Sequence, residues 1–245
     1  MKVIVLDNYD AMSKEAAKLV EEKIRENNQA VLGLATGSTP IGLYENLIDG
    51  FKTRGISYEN VKAINLDEYL GLGQEHSQSY HAFMREKLFD HIDIAAENTY
   101  IPDGKTTSPD AECANYEAVI DRVGPVNLQI LGIGTNGHIG FNEPGTSPDS
   151  TAHVVELTES TIESNAPNFE SKDEVPTHAI TVGIQTILKG EEIILLASGK
   201  NKAEAVKMLL DKNIGEHNPA SFLWTHDHVT LIVDKDAYHL VKKGY

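Results

Sequence analysis

One histidine stands among residues suited to making it move protons. His138 lies in Gly132-Ile133-Gly134-Thr135-Asn136-Gly137-His138-Ile139-Gly140-Phe141-Asn142-Glu143-Pro144-Gly145. Four glycines, from Gly132 to Gly140, let this backbone bend tightly and approach a ligand. Imidazole titrates near neutral pH and needs a partner that fixes its tautomer. Asn136 and Glu143 flank it. A lone histidine is more often structural, but the polar, glycine-dense setting favours proton transfer. The spacing G-x-G-x-x-G is present, yet no helix pattern follows and the acidic residue expected at a second strand end is missing. A dinucleotide site is therefore not indicated.

Three further places carry chemistry. Asn65-Leu66-Asp67-Glu68-Tyr69 puts two adjacent carboxylates after an apolar run. They suit either plain surface charge or, for Asp67 at a crevice rim, a proton shuttle tuned by partial burial. Thr36-Gly37-Ser38-Thr39-Pro40 precedes a helix pattern. It reads as a capped turn or as an anion site made of hydroxyls, a glycine and free helix-start N–H groups. It is not a Walker A loop, because no Gly-Lys-Ser/Thr follows. Ser198-Gly199-Lys200-Asn201-Lys202 opens another helix, where either lysine could meet an anion. His226-Asp227-His228 has spacing that could bind a metal but lacks a third convergent ligand, so no metal is assigned.

The elements that must position these residues alternate. Apolar, strand-length runs cover 3–6, 30–35, 61–66, 126–133, 179–182, 192–197 and 228–233. Helical spacing falls between them, over 13–25, from Pro40 past Phe51, and over 79–90, 109–123 and 200–212, with a short helix near 236–243. Thr39-Pro40 and Ser108-Pro109 read as hydroxyl caps before a proline at the first helical position. This alternation predicts a single doubly wound α/β domain over residues 1–245 with a mainly parallel, Rossmann-like sheet. Ligands of such sheets bind beyond the carboxyl ends of the strands. The residues singled out fall after four predicted strands. Residues 158–176, rich in Ser, Thr, Glu and Asn with two prolines, read as a surface excursion or a lid over the site.

Composition narrows the partners. The 245 residues carry 21 Lys+Arg against 37 Asp+Glu, a net charge of −16. That disfavours nucleic acid and anionic membranes, which need clustered cations. It leaves room for a small phosphorylated substrate in a locally positive pocket. One cysteine, Cys113, cannot form an internal disulfide, and no targeting or spanning segment is evident, so a cytoplasmic protein is expected. From the residues alone the expectation is cofactor-free proton transfer on a small phosphorylated molecule.

Leu34 to Pro40, Asn65 to Tyr69 and Gly137-His138-Ile139-Gly140-Phe141-Asn142-Glu143-Pro144 resemble the glucosamine-6-phosphate deaminase family, nearly end to end. Ser79-Tyr80, Thr181-Val182-Gly183 and Gly199 to Ala203 extend the match. The resemblance implies a cofactor-free hydrolase/isomerase of amino sugar catabolism that turns glucosamine 6-phosphate into fructose 6-phosphate and ammonia. It implies catalytic roles for Asp67, Asn136, His138 and Glu143. It implies phosphate contacts from Gly37, Ser38, Thr39 and Lys202, with Thr36 in the same segment and Gly132 close to the sugar. The short C-terminal region resembles the non-allosteric type, expected to be a monomer or weak homo-oligomer.

Two residues depart from the family pattern. Asn136 stands where many members have Asp. Pro167 stands where the family commonly places a lid Arg that reaches the phosphate, and Lys172 is a candidate substitute. Weaker substrate binding than in Arg-bearing relatives is expected. Two other readings compete: a sugar-phosphate sensor of the same fold, which would need no proton-transfer set, and a 6-phosphogluconolactonase-like hydrolase, which needs no base at Asp67.

Overall fold

The computed structural model describes residues 1–166, 169, 171 and 174–241. Seven parallel strands form the large sheet: β1 (Lys2–Leu6), β2 (Val31–Leu34), β3 (Lys62–Asn65), β5 (Thr99–Tyr100), β6 (Leu128–Gly132), β9 (Ile193–Ala197) and β10 (Val229–Asp234). Their order is β1-β10-β9-β6-β2-β3-β5. The chain moves outward from β2 to β3 and β5, then returns to β6 on the other side of β2 and proceeds to β9 and β10. The order therefore reverses between β2 and β6, which places the crevice there.

Both faces of this sheet are covered, so its central strands are apolar without alternation. Leu32, Leu34, Ile130, Ile194, Leu196 and Ile232 pack against α1 (Tyr9–Glu26) and α2 (Ile41–Arg54). Val31, Leu131, Leu195, Ala197, Leu231 and Val233 face α4 (Pro109–Val123) and α7 (Ala203–Leu210). Asn8 caps α1 through Ala11 N–H, so that helix starts before the expected Ser13. Gly55, in the left-handed region at φ 69°, closes α2.

The two expected hydroxyl caps differ from expectation. Pro40 itself holds the cap position of α2, and neither Thr39 nor Ser108 makes a side-chain cap bond. The Thr39 hydroxyl is thereby left to the crevice. After the short α6 (Ile184–Ile187), residues 200–202 form a 3-10 turn before α7, and the C-terminal helix, α8, spans Lys235–Tyr238. The end of the 236–243 expectation lies outside the described residues.

A second, three-stranded antiparallel sheet joins β4 (Asp67–Tyr69), β8 (His178–Thr181) and β7 (His153–Glu156) in the order β4-β8-β7. Asp67 pairs with Thr181 and Tyr69 with Ala179. Residues 67–69 are thus a strand, not the rim of one, and the run at 179–182 belongs to this small sheet. Among the described residues no helix is long and apolar enough to cross a membrane.

Candidate active site

A cleft of about 570 Å³ opens at the switch point between β2 and β6. Thr36, Gly37, Ser38, Thr39, Asp67, Gly132, Asn136, His138 and Lys202 all line it. Glu143 stands behind His138 instead. Of the two candidate lysines, Lys202 faces the cleft.

One wall is an anion cradle. The turn from Thr36 to Thr39 leads into α2, with Gly37 at φ 88°. The amides of Gly37, Ser38 and Thr39 have no acceptor among the described residues. From α1, the Tyr9 hydroxyl accepts the Gly42 N–H at 2.7 Å and lies 3.1 Å from the Thr39 carbonyl, fixing the turn from behind. Lys202 lines the same cleft, and burial pulls its ammonium below the ordinary lysine value. An ammonium kept from water in this way gains from an anionic partner.

The same cleft carries the titratable groups. Asp67 is buried at 6% exposure, deeper than a crevice rim, and its Oδ1 has no hydrogen-bond partner. Burial, with a smaller contribution from the Glu68 charge, pushes its carboxyl up to about 8. Glu68 is fully buried but well partnered. It accepts N–H groups of Tyr69, Tyr80 and His81 and faces His81 Nδ1 at 2.9 Å. The two neighbouring carboxylates differ in setting: Asp67 lines the cleft, whereas Glu68 holds the first N–H groups of α3 (Tyr80–Lys87).

The loop after β6 is held from several sides. Asn142 donates to the Ile139 and Val182 carbonyls, both at 2.9 Å, and the Thr181 hydroxyl accepts the Phe141 N–H at 3.1 Å. Gly134 has a close-approach role, since a Cβ there would lie 2.2 Å from the His138 ring. Glu143 Oε1 stands 3.4 Å from His138 Nδ1, without hydrogen-bond alignment, and Nδ1 is buried and otherwise unpartnered. Burial alone would raise the Glu143 carboxyl. The His138 ring, with hydrogen bonds from Asn136 and Thr161, outweighs it and holds the carboxyl below its ordinary value.

Asn136 is placed differently from expectation. Its amide donates to Glu143 Oε2 at 2.6 Å and its oxygen accepts the His138 N–H at 3.2 Å. It therefore supports the imidazole through Glu143 and the backbone, not by touching the ring nitrogens. An Asp here could not donate to Glu143, so Asn suits this arrangement.

Tyr80, Phe141, Thr161 and Asn201 also line the cleft. Tyr80 had no signal beyond the family string. Thr161 lies in the expected lid, on α5 (Glu159–Asn165), and its hydroxyl donates to Glu143 Oε1 at 3.1 Å. Pro167 and Lys172 lie outside the described residues.

A switch-point cleft that brings an anion cradle together with a buried carboxylate and an imidazole–carboxylate pair defines an α/β protein equipped for acid–base chemistry on a small anionic molecule. A family profile for glucosamine-6-phosphate isomerases/6-phosphogluconolactonase matches residues 7–232. The chain belongs to this family. It is 51% identical to a glucosamine-6-phosphate deaminase of Thermoanaerobacter sp. (strain X514) over 241 residues, 98% of this chain and 95% of the relative. A counterpart from Oceanobacillus iheyensis is 51% identical over 237 residues, covering 97% and 95%. Among solved structures, a monomeric glucosamine-6-phosphate deaminase superposes with a TM-score of 0.96 at 48% identity, over 98% of this chain and 100% of that one. A 6-phosphogluconolactonase from Trypanosoma cruzi shares the fold, with a TM-score of 0.77 at 22% identity over 98% and 97%.

Proposed function

We propose that the chain converts glucosamine 6-phosphate and water to fructose 6-phosphate and ammonia. The observation that carries this reading is that residues 36–39, Lys202, Asp67 and His138 line one cleft, backed by the names of relatives near 50% identity. The phosphate sits on the Gly37, Ser38 and Thr39 amides with Lys202. Fixing that end positions the sugar while its ring opens.

His138 removes the proton of the anomeric hydroxyl and returns one to the ring oxygen, giving the open aldehyde. Glu143 stabilises the imidazolium formed between these transfers, and Asn136 and Thr161 hold Glu143 in place. Asp67 then takes the C2 proton, forming an enolamine, and delivers a proton to C1. The resulting ketimine at C2 is hydrolysed and ammonia leaves. The conversion is redox-neutral within one molecule, so it calls for no added cofactor.

The environment of Asp67 suits this task. Its carboxylate is costly to form alone in a buried site, and the ammonium at C2 of the substrate offsets that cost. Residues 158–176 act as a lid, with Thr161 the point where it meets Glu143. The protein works in the cytoplasm as a monomer or weak homo-oligomer, without a nucleic-acid partner. The monomeric description of the 48%-identical relative supports that state.

The direct test incubates the purified protein with glucosamine 6-phosphate and follows fructose 6-phosphate and ammonia together. Equimolar release, lost in His138→Ala and Asp67→Asn, supports the reading. Binding without either product would point to a sensor instead. Lactone hydrolysis that survives Asp67→Asn would point to the lactonase alternative.

A further inference from the structure

Asp67 and Glu68 share β4 and are both buried, yet their surroundings are opposite. Four donors converge on Glu68: the N–H groups of Tyr69 at 2.8 Å, Tyr80 at 2.9 Å and His81 at 3.1 Å, and His81 Nδ1 at 2.9 Å. This arrangement suits a carboxylate anion. Asp67 Oδ1 has no partner. A charged neighbour on the next residue adds to the cost of ionising Asp67.

We propose that His81 is a positioning residue for the deamination: by donating its Nδ1–H to Glu68 it draws charge away from Asp67. The Glu68–His81 pair thereby sets how readily Asp67 gives and takes its proton. This rests on the reading of Asp67 as the carbon base. His81 never touches the substrate cleft. It borders a second cleft, beside Arg85, which is itself engaged with Glu75 and the Gln74 carbonyl.

The other groups around Asp67 leave this pair as its variable neighbour. Tyr44 from α2, Tyr69 from β4, Tyr80 from α3 and Tyr116 from α4 face it, and burial keeps all four phenols neutral. His138 and Lys202 line the same cleft, but beside burial it is the Glu68 charge that shifts Asp67.

The test is the pH profile of kcat/KM in Glu68→Gln, His81→Leu and His81→Asn. Removing the Glu68 charge should move the acid limb down by about one pH unit, a tenfold gain well below the limb. His81→Leu removes a donor and should move it up by about half a unit. His81→Asn restores an amide donor near the Nδ1 position and should leave the limb in place. A purely structural anchor would lower rate or stability in both disruptive variants without moving the limb. Infrared titration of the carboxyl band that disappears in Asp67→Asn reads the same shifts without turnover. A wild type that releases no ammonia would overturn the functional reading, while the infrared shifts would still judge the pair. Titrations of Asp67 that coincide in Glu68→Gln and His81→Leu, or move the same way, would overturn the proposal.

Discussion

The two loops that meet at the switch point are both marked by glycine, and they use it for opposite ends. At the end of β2, a Cβ on Gly37 would meet nothing within 4 Å. The amides of Gly37, Ser38 and Thr39 have no acceptor among the described residues. At the end of β6, a Cβ on Gly134 would strike the His138 ring at 2.2 Å, one on Gly137 would strike Asn218 at 2.2 Å, and one on Gly140 would lie 3.0 Å from the Thr181 hydroxyl. The first loop keeps room for a ligand. The second uses its missing side chains to pack the protein's own groups into a fixed geometry. On the proposed function, binding falls to the first loop and ring opening to the second, and substitutions should separate KM from kcat accordingly.

The largest effect should come from Asp67, which belongs to neither loop. Asp67→Asn should lower kcat by about 10³-fold or more, in the range expected for a lost general base, while glucosamine 6-phosphate still raises the melting temperature. A phosphate-bearing ligand that no longer stabilises the variant would break the division of labour. The same variant bears on stability. The folded carboxyl sits near 8 against about 4 in the unfolded chain. Its folded pKa is raised, so its contribution to stability is present at low pH and is lost as pH rises through 8. Asp67→Asn should therefore melt several degrees above wild type at pH 9 and show no such gain at pH 4, by calorimetry.

Gly134→Ala should follow, lowering kcat by about 10²-fold because His138 must move, with KM changed little. A KM effect larger than the kcat effect would show that the β6 loop also holds the phosphate. Lys202→Met and Gly37→Ala should do the reverse, raising KM about tenfold through a lost charge-assisted contact or a strained left-handed residue, with kcat less affected. The Lys202 variant should also flatten the dependence of KM on salt. Smallest is Pro167→Arg, which restores the lid cation common in the family and should lower KM a fewfold. An unchanged KM would mean that the phosphate needs no further charge.

Much of this was legible in the sequence because it rests on short-range chemistry. The alternation of apolar runs and helical spacing gave the parallel sheet, and the residues after the strands gave nine of the cleft-lining positions. What escaped depends on distant parts of the chain. Nothing local says that 67–69 pair with 179–181 in a separate sheet, since three residues make no visible period. Thr39 and Ser108 looked like caps because their residue type is right, but the proline-led turns leave their side chains elsewhere. Tyr9, which braces the cradle from another helix, carries no sign of that task in its neighbours. The Asp67 charge also reaches buried tyrosines of α2, α3 and α4, a proximity invisible before folding.

The small β4-β8-β7 sheet gives the molecule a second mounting. Asp67 is carried on it, while the phosphate cradle is carried on the seven-stranded sheet. The cradle and the proposed carbon base therefore hang on different frames, while His138 shares the frame of the cradle. Such a molecule can be retooled piecewise: exchanging β4 and its pairing strands should alter the reaction while the grip on a phosphorylated sugar stays in place.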